Sequence, residues 1–108
     1  MAKGAYLGEF EQIVLLTVLR LREGAYGAAI RAEIERVTKR FSTIGAVHAT
    51  LERLERKGLV SSRIGEPTAE RGGKAKRYFT IERAGVAALK DARMTIERLH
   101  AGLSLWNA

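Results

Sequence analysis

Thr43-Ile44-Gly45-Ala46-Val47-His48-Ala49-Thr50-Leu51-Glu52-Arg53-Leu54-Glu55-Arg56-Lys57-Gly58-Leu59-Val60 is the stretch on which the fold of this 108-residue chain turns. Thr43 is a good helix N-cap, because its hydroxyl accepts from a backbone N–H left free in the first turn. Gly58 stands where a helix-terminating glycine belongs. Between them Ile44, Val47, Leu51 and Leu54 recur at helical spacing as an inner stripe, so a helix is predicted from about Ile44 to Lys57. Upstream, Gly24 and Gly27 punctuate the chain. A helix is expected from about Tyr26 to Lys39, with Ile30, Ile34 and Val37 on one face. Only Arg40 to Thr43 separate the two, which is the geometry of a helix-turn-helix.

Outward from this pair, Phe10, Ile13, Val14, Thr17, Val18 and Leu21 mark a first helix over Gly8 to Arg22. Leu15, Leu16 and Leu19 widen its stripe, so burial on most sides is expected. After Gly58 the period changes. Leu59 to Ile64 and Lys76 to Ile81, rich in β-branched and aromatic residues, predict two short strands. They are joined by a long loop containing Pro67, Gly72 and Gly73, with Arg71 and Lys74 at its tip. From Arg83 to Ala108 a helical pattern returns. Gly85, Leu89, Ala92, Ile96, Leu99, Leu103 and Trp106 alternate by four and three, a heptad seam that calls for another helix to pack against. The expected fold is mainly α with a small β-hairpin: a winged helix-turn-helix domain over residues 1–82 and one long C-terminal helix over 83–108, whose seam makes it the expected dimerisation helix.

Composition limits what such a chain does. With 46% hydrophobic and 29% charged residues it is globular and one domain in size. A chain this short buries only roughly two-thirds of its unfolded surface, so oligomerisation is expected. There is no cysteine, which excludes disulfides, cysteine-bound zinc and thiol chemistry and makes the cytoplasm the natural setting. No apolar run approaches the ~18 residues of a membrane span, and Met1-Ala2-Lys3-Gly4 leads into no secretory apolar region.

The net charge is +7, and between Arg36 and Arg77 eleven basic residues face four acidic ones. That stretch carries the whole excess, the electrostatic footprint of a polyanion binder; a merely solvated basic surface is the plainer alternative. On a helical wheel the surface opposite the inner stripe of the third helix centres on Ala49, with Gly45 and Ala46 at its N-terminal end and Arg53 and Arg56 at its far end. Small residues allow close approach to base edges, and arginines bond guanine or clamp phosphate. In a winged helix-turn-helix the hairpin tip lies on the DNA backbone or minor groove. Arg71, Lys74, Lys76 and Arg77 have the charge for it. With Lys39, Arg40, Arg53 and Arg56 they allow roughly four to six phosphate contacts per protomer. Thr43 caps the helix that would enter the groove.

Ala25-Tyr26-Gly27-Ala28-Ala29-Ile30, the run from Thr43 to Val60, the Arg71-Gly72-Gly73 wing, and Lys76-Arg77-Tyr78-Phe79 followed by Ala84-Gly85 together resemble the PadR family of transcriptional regulators. The resemblance covers residues 7 to about 90, and its length is that of the short members with a single C-terminal helix. It implies a winged helix-turn-helix repressor, dimeric through its C-terminal helix, binding a two-fold operator in double-stranded DNA and often released by a small aromatic effector. Dimerisation would then fall to Leu89, Ala92, Ile96, Leu99, Leu103 and Trp106. Several positions depart from the family pattern. His48-Ala49 stands where a tyrosine and a proline are common, Tyr26-Gly27-Ala28 where His-Gly-Tyr is usual, and Glu82 where a threonine N-cap is usual, so base preference and effector identity do not carry over.

Two residues stay open between readings. His48 lies on the border of stripe and outer face, either touching DNA or packing half-buried. Trp106 either closes the dimer seam or lines an effector pocket where two terminal helices cross. The spacing around His100 does not suggest a metal-ligand set, no phosphate-binding or dinucleotide loop is present, and Glu9 and Glu11, two apart on a helix, make no acid/base pair. No metal, cofactor or enzymatic activity is expected. The alternative to a DNA-binding repressor is a winged-helix module whose hairpin and third helix contact another protein.

Overall fold

A computed structural model describes residues 6–66 and 75–105. Four helices and a hairpin follow one another: α1 (Glu9–Leu21), a 3-10 turn (Arg22–Gly24), α2 (Gly27–Thr38), α3 (Ile44–Arg56), β1 (Val60–Ile64), β2 (Arg77–Ile81) and α4 (Arg83–His100). This is a mainly helical fold with a two-stranded antiparallel wing. Val14, Leu15, Val18, Ile30, Ile34, Val47, Leu51, Leu54, Leu59, Val60 and Phe79 form one core shared by the first three helices and the base of the hairpin.

The ends of α3 are set by its own residues. The Thr43 hydroxyl accepts from the Ala46 N–H at 3.1 Å. At the other end Gly58 takes φ +77°, its N–H bonds the Glu55 carbonyl, and the Leu59 N–H bonds the Leu54 carbonyl at 3.0 Å. Those two bonds make a Schellman closure, which turns the chain into β1 and carries Leu59 into the core. Gly85, in the first turn of α4, packs so closely on the Leu59 carbonyl that a Cβ there would collide with it. The start of α4 is thereby pinned to the end of α3.

β1 and β2 pair with Val60 opposite Ile81, Ser62 opposite Phe79 and Ile64 opposite Arg77. Burial falls along the hairpin, from Val60 at 2% exposure to Ile64 at 67%, so the wing leaves the core as it runs outward. β2 has a second neighbour: the Phe79 N–H bonds the Ala25 carbonyl at 2.8 Å, and Tyr26 forms an isolated antiparallel bridge with Tyr78. The chain entering α2 thus acts as a short third strand.

Burial departs from periodicity in three places. Leu16 and Leu19 are 50% and 42% exposed, so α1 is not enclosed on most sides; Val37 of α2 is 45% exposed beside them. Ile44, placed on the inner stripe by spacing, is 42% exposed because it sits at the first turn of α3, and Thr50 is buried at 3% in the stripe below it. The C-terminal helix ends at His100, short of Ala108. Ala101 leaves helical geometry, and Gly102 turns the chain with φ +84°. Leu103 therefore lies beyond the helix, and Trp106 lies outside the described residues. Within α4 the seam divides: Gly85 and Ala88 are buried and Leu89 packs on the protomer's own core, Ala92 is half-buried, and Ile96 and Leu99 are 53% and 71% exposed.

Candidate nucleic-acid interface

Gly45, Ala46, His48, Ala49, Glu52, Arg53 and Arg56 are all exposed on α3, while Val47, Thr50, Leu51 and Leu54 are buried. One helix surface is therefore free, small at its N-terminal half and cationic at its C-terminal half. α2 ends beside it, with Lys39 exposed in the left-handed conformation (φ +62°) that closes that helix. His48 is exposed, yet its ring lies over the start of α2, where a Cβ added to Gly27 would stand 2.6 Å from His48 Cε1. Glycine at position 27 is what admits the imidazole.

The hairpin joins this surface through an aromatic stack. The rings of Tyr26 and Tyr78 meet edge to face at 5.6 Å, Lys76 Nζ lies 4.9 Å from the centre of Tyr26, and the Arg63 guanidinium lies 4.9 Å from that of Tyr78. Each cation over a ring is drawn to the negative face of its π system. Lys76, at the outer end of the paired strands, is thereby held against Tyr26 at the start of α2. Arg71 and Lys74 lie outside the described residues.

Several cations of the surface are bonded to carboxylates, which charge counting by itself does not reveal. Arg40 makes a two-pronged pair with Glu9, NH1 to Oε2 at 3.3 Å and NH2 to Oε1 at 3.1 Å. Arg77 bonds Ser62 Oγ through Nε at 2.9 Å and Glu55 Oε1 through NH2 at 2.8 Å. Arg53 Nε and Lys57 Nζ each reach Glu11 Oε2 at 2.9 Å. Glu11 is buried on α1 and its other oxygen accepts from the Gly8 N–H at 3.0 Å. Burial pushes the Glu11 carboxyl up, but the hydrogen bonds from Lys57, the Gly8 backbone and Arg53 outweigh it, and it titrates below the usual carboxylate range. Hydrogen bonding by Arg40 likewise lowers Glu9. Each cation and its carboxylate partner stand 22 to 46 residues apart in the chain, so no local pattern reveals them. Glu9 and Glu11, set aside as an acid/base pair, are here counter-ions to the helix-turn-helix. No group of three or more His, Cys, Asp or Glu side chains able to hold a metal occurs among the described residues, and none of their helices is long and apolar enough to cross a membrane.

Solved structures share this arrangement. A PadR-like transcription factor from Bacteroides fragilis is 20% identical over 84% of this chain and 82% of its own, with a TM-score of 0.68. A transcriptional regulator from Clostridium thermocellum is 22% identical over 83% of this chain and 84% of its own, also at 0.68. A PadR family regulator from Eggerthella lenta is 24% identical over 88% of this chain and 82% of its own, at 0.65. Likenesses at this identity are likenesses of fold. No curated protein matches the chain. The sequence itself matches the family model described as the transcriptional regulator PadR-like family over residues 15–91, from the middle of α1 into α4. With most of its length inside that match, the chain belongs to the PadR-like family, a family of transcriptional regulators and not of enzymes.

Proposed function

We propose that this protein is a homodimeric, sequence-specific DNA-binding repressor acting in the cytoplasm, with α3 as the helix that enters the major groove. The observation that carries the reading is the free surface of α3, where exposed Gly45, Ala46 and Ala49 lead into exposed Arg53 and Arg56. Side chains this small let the helix backbone approach base edges, and the arginines supply fixed donors beyond them. The proposed contact set is Lys39, Arg40, Thr43, Gly45, Ala46, His48, Ala49, Arg53 and Arg56 with Arg71, Lys74, Lys76 and Arg77 of the wing. Glu9 and Arg40 are both largely exposed, and solvent screens an exposed ion pair, so a phosphate competes readily for that guanidinium.

Support for the dimer is an excess of uncovered apolar surface. Leu16 and Leu19 of α1 and Val37 of α2 border one apolar groove, and Ile96 and Leu99 project from α4. The Cα radius of gyration, 15.8 Å, exceeds the roughly 13 Å of a compact chain of this size. In the proposed assembly residues 83–108 form the dimerisation unit on the 1–82 DNA-binding domain, and two copies of α3 stand about 34 Å apart on a two-fold operator. Release by a small aromatic effector completes the reading.

Genomic fragments captured by purified protein and read by sequencing test it. The repressor reading expects enrichment of two-fold sites and affinity for any duplex that rises steeply as salt falls. For a dimer the slope of log K against log salt is about −7 to −10. A protein-binding module would bind no duplex appreciably at ~150 mM salt, and that result would overturn the proposal.

A further inference from the structure

Glu11 is buried on α1, away from the free surface of α3, yet it bonds an arginine of that surface. Its Oε1 is held by the Gly8 N–H, and its Oε2 takes Arg53 Nε. Bonding through Nε leaves both terminal nitrogens of Arg53 without a described protein partner, on a side chain 45% exposed. A surface arginine normally samples many rotamers, and fixing it costs side-chain entropy at the moment of binding. Held at Nε by a carboxylate that is itself fixed, the guanidinium keeps its plane, and its two outer nitrogens form a ready fork. Such a fork matches two neighbouring acceptors, the paired oxygens of a phosphate or the O6/N7 edge of guanine.

Resting on the DNA-binding reading above, we propose that Glu11 is the positioning residue for Arg53, setting the direction of its two free donors toward a pair of acceptors on DNA. The proposal makes a prediction opposite in sign to charge counting. Glu11→Gln removes one negative charge, so bulk electrostatics alone would tighten binding to every duplex. Loss of the fork's orientation would weaken it.

Affinities of the wild type, Glu11→Gln, Arg53→Ala and the double variant are measured on a duplex that the wild type enriches from a random library and on a scrambled duplex. Glu11→Gln is expected to bind the enriched duplex roughly tenfold more weakly, and to add nothing in the Arg53→Ala background. Loss on the enriched duplex alone assigns the fork to a base edge; equal loss on both assigns it to phosphate. Unchanged or tighter binding by Glu11→Gln, or losses that simply add in the double variant, overturns the proposal. Should Glu11→Gln not fold, Arg53→Lys carries the test: it keeps the charge without the planar fork, and wild-type affinity from it overturns the proposal. If the wild type binds no duplex, the DNA-binding reading itself falls, a result distinct from either.

Discussion

Two residues with positive φ have opposite consequences. Gly58 closes α3 at φ +77° with nothing within 4 Å of where a Cβ would sit, so Gly58→Ala meets no neighbour and only backbone strain opposes it. It is expected to destabilise by about 1 kcal/mol, read as a lower urea midpoint at unchanged m-value. Arg22, the first residue of the 3-10 turn and directly after α1, holds φ +54°, ψ −123°, a conformation that favours glycine. Arg22→Gly is expected to raise the midpoint, by up to about 1 kcal/mol, because relief of strain outweighs the entropy glycine adds to the unfolded chain. Gly58 was legible as a helix stop from its place after Lys57. Arg22 was not, since its conformation is imposed where α1 gives way to the strand-like Ala25 and Tyr26 paired with β2.

Among the elements, α4 divides its apolar residues between two roles. The heptad spacing from Gly85 to Leu99 is real, but its first half packs on the protomer's own core and only Ile96 and Leu99 extend beyond it. Leu99→Glu changes a side chain 71% exposed, so it leaves the protomer's packing intact while placing a charge in the proposed dimer contact. Light scattering is expected to give the monomer mass, with a circular dichroism spectrum like that of the wild type and weakened DNA binding; a mass that stays dimeric would remove Leu99 from the interface. The helix is also shorter than its pattern. Leu103 continues the four-three alternation in sequence, yet Gly102 turns the chain before it. Periodicity records which residues are apolar, and a left-handed glycine decides where the helix stops.

Over the whole molecule, Glu11 ties α1 to both Arg53 and Lys57 of the α3 end, and this linkage makes stability depend on pH. A carboxyl lowered by folding contributes stability that is fully present above the ordinary carboxylate range and is lost as pH falls through its lowered folded-state value. Glu33, held down to about 2 by hydrogen bonds from Arg36 and Arg20, acts in the same direction. The urea midpoint is expected to fall steadily as pH drops below about 4.5. Glu11→Gln should flatten part of that fall, while lowering the midpoint at pH 7 because the acceptor shared by Arg53 and Lys57 loses its charge. An equally steep fall in the variant would show that Glu11 does not carry the linkage.

Element order, the cap and stop of α3, the outward set Gly45, Ala46, Ala49, Arg53 and Arg56, and the family were all legible in the chain, because each depends on spacing within one helix or one turn. The aromatic stack of Tyr26 on Tyr78, the seat of His48 over Gly27 and the pairing of Arg40, Arg53 and Arg77 with Glu9, Glu11 and Glu55 were decided only by tertiary structure. The physical reason is one of range. Helix periodicity and glycine chemistry act over a few residues, whereas an ion pair forms wherever folding brings opposite charges within about 4 Å, whatever the length of chain between them.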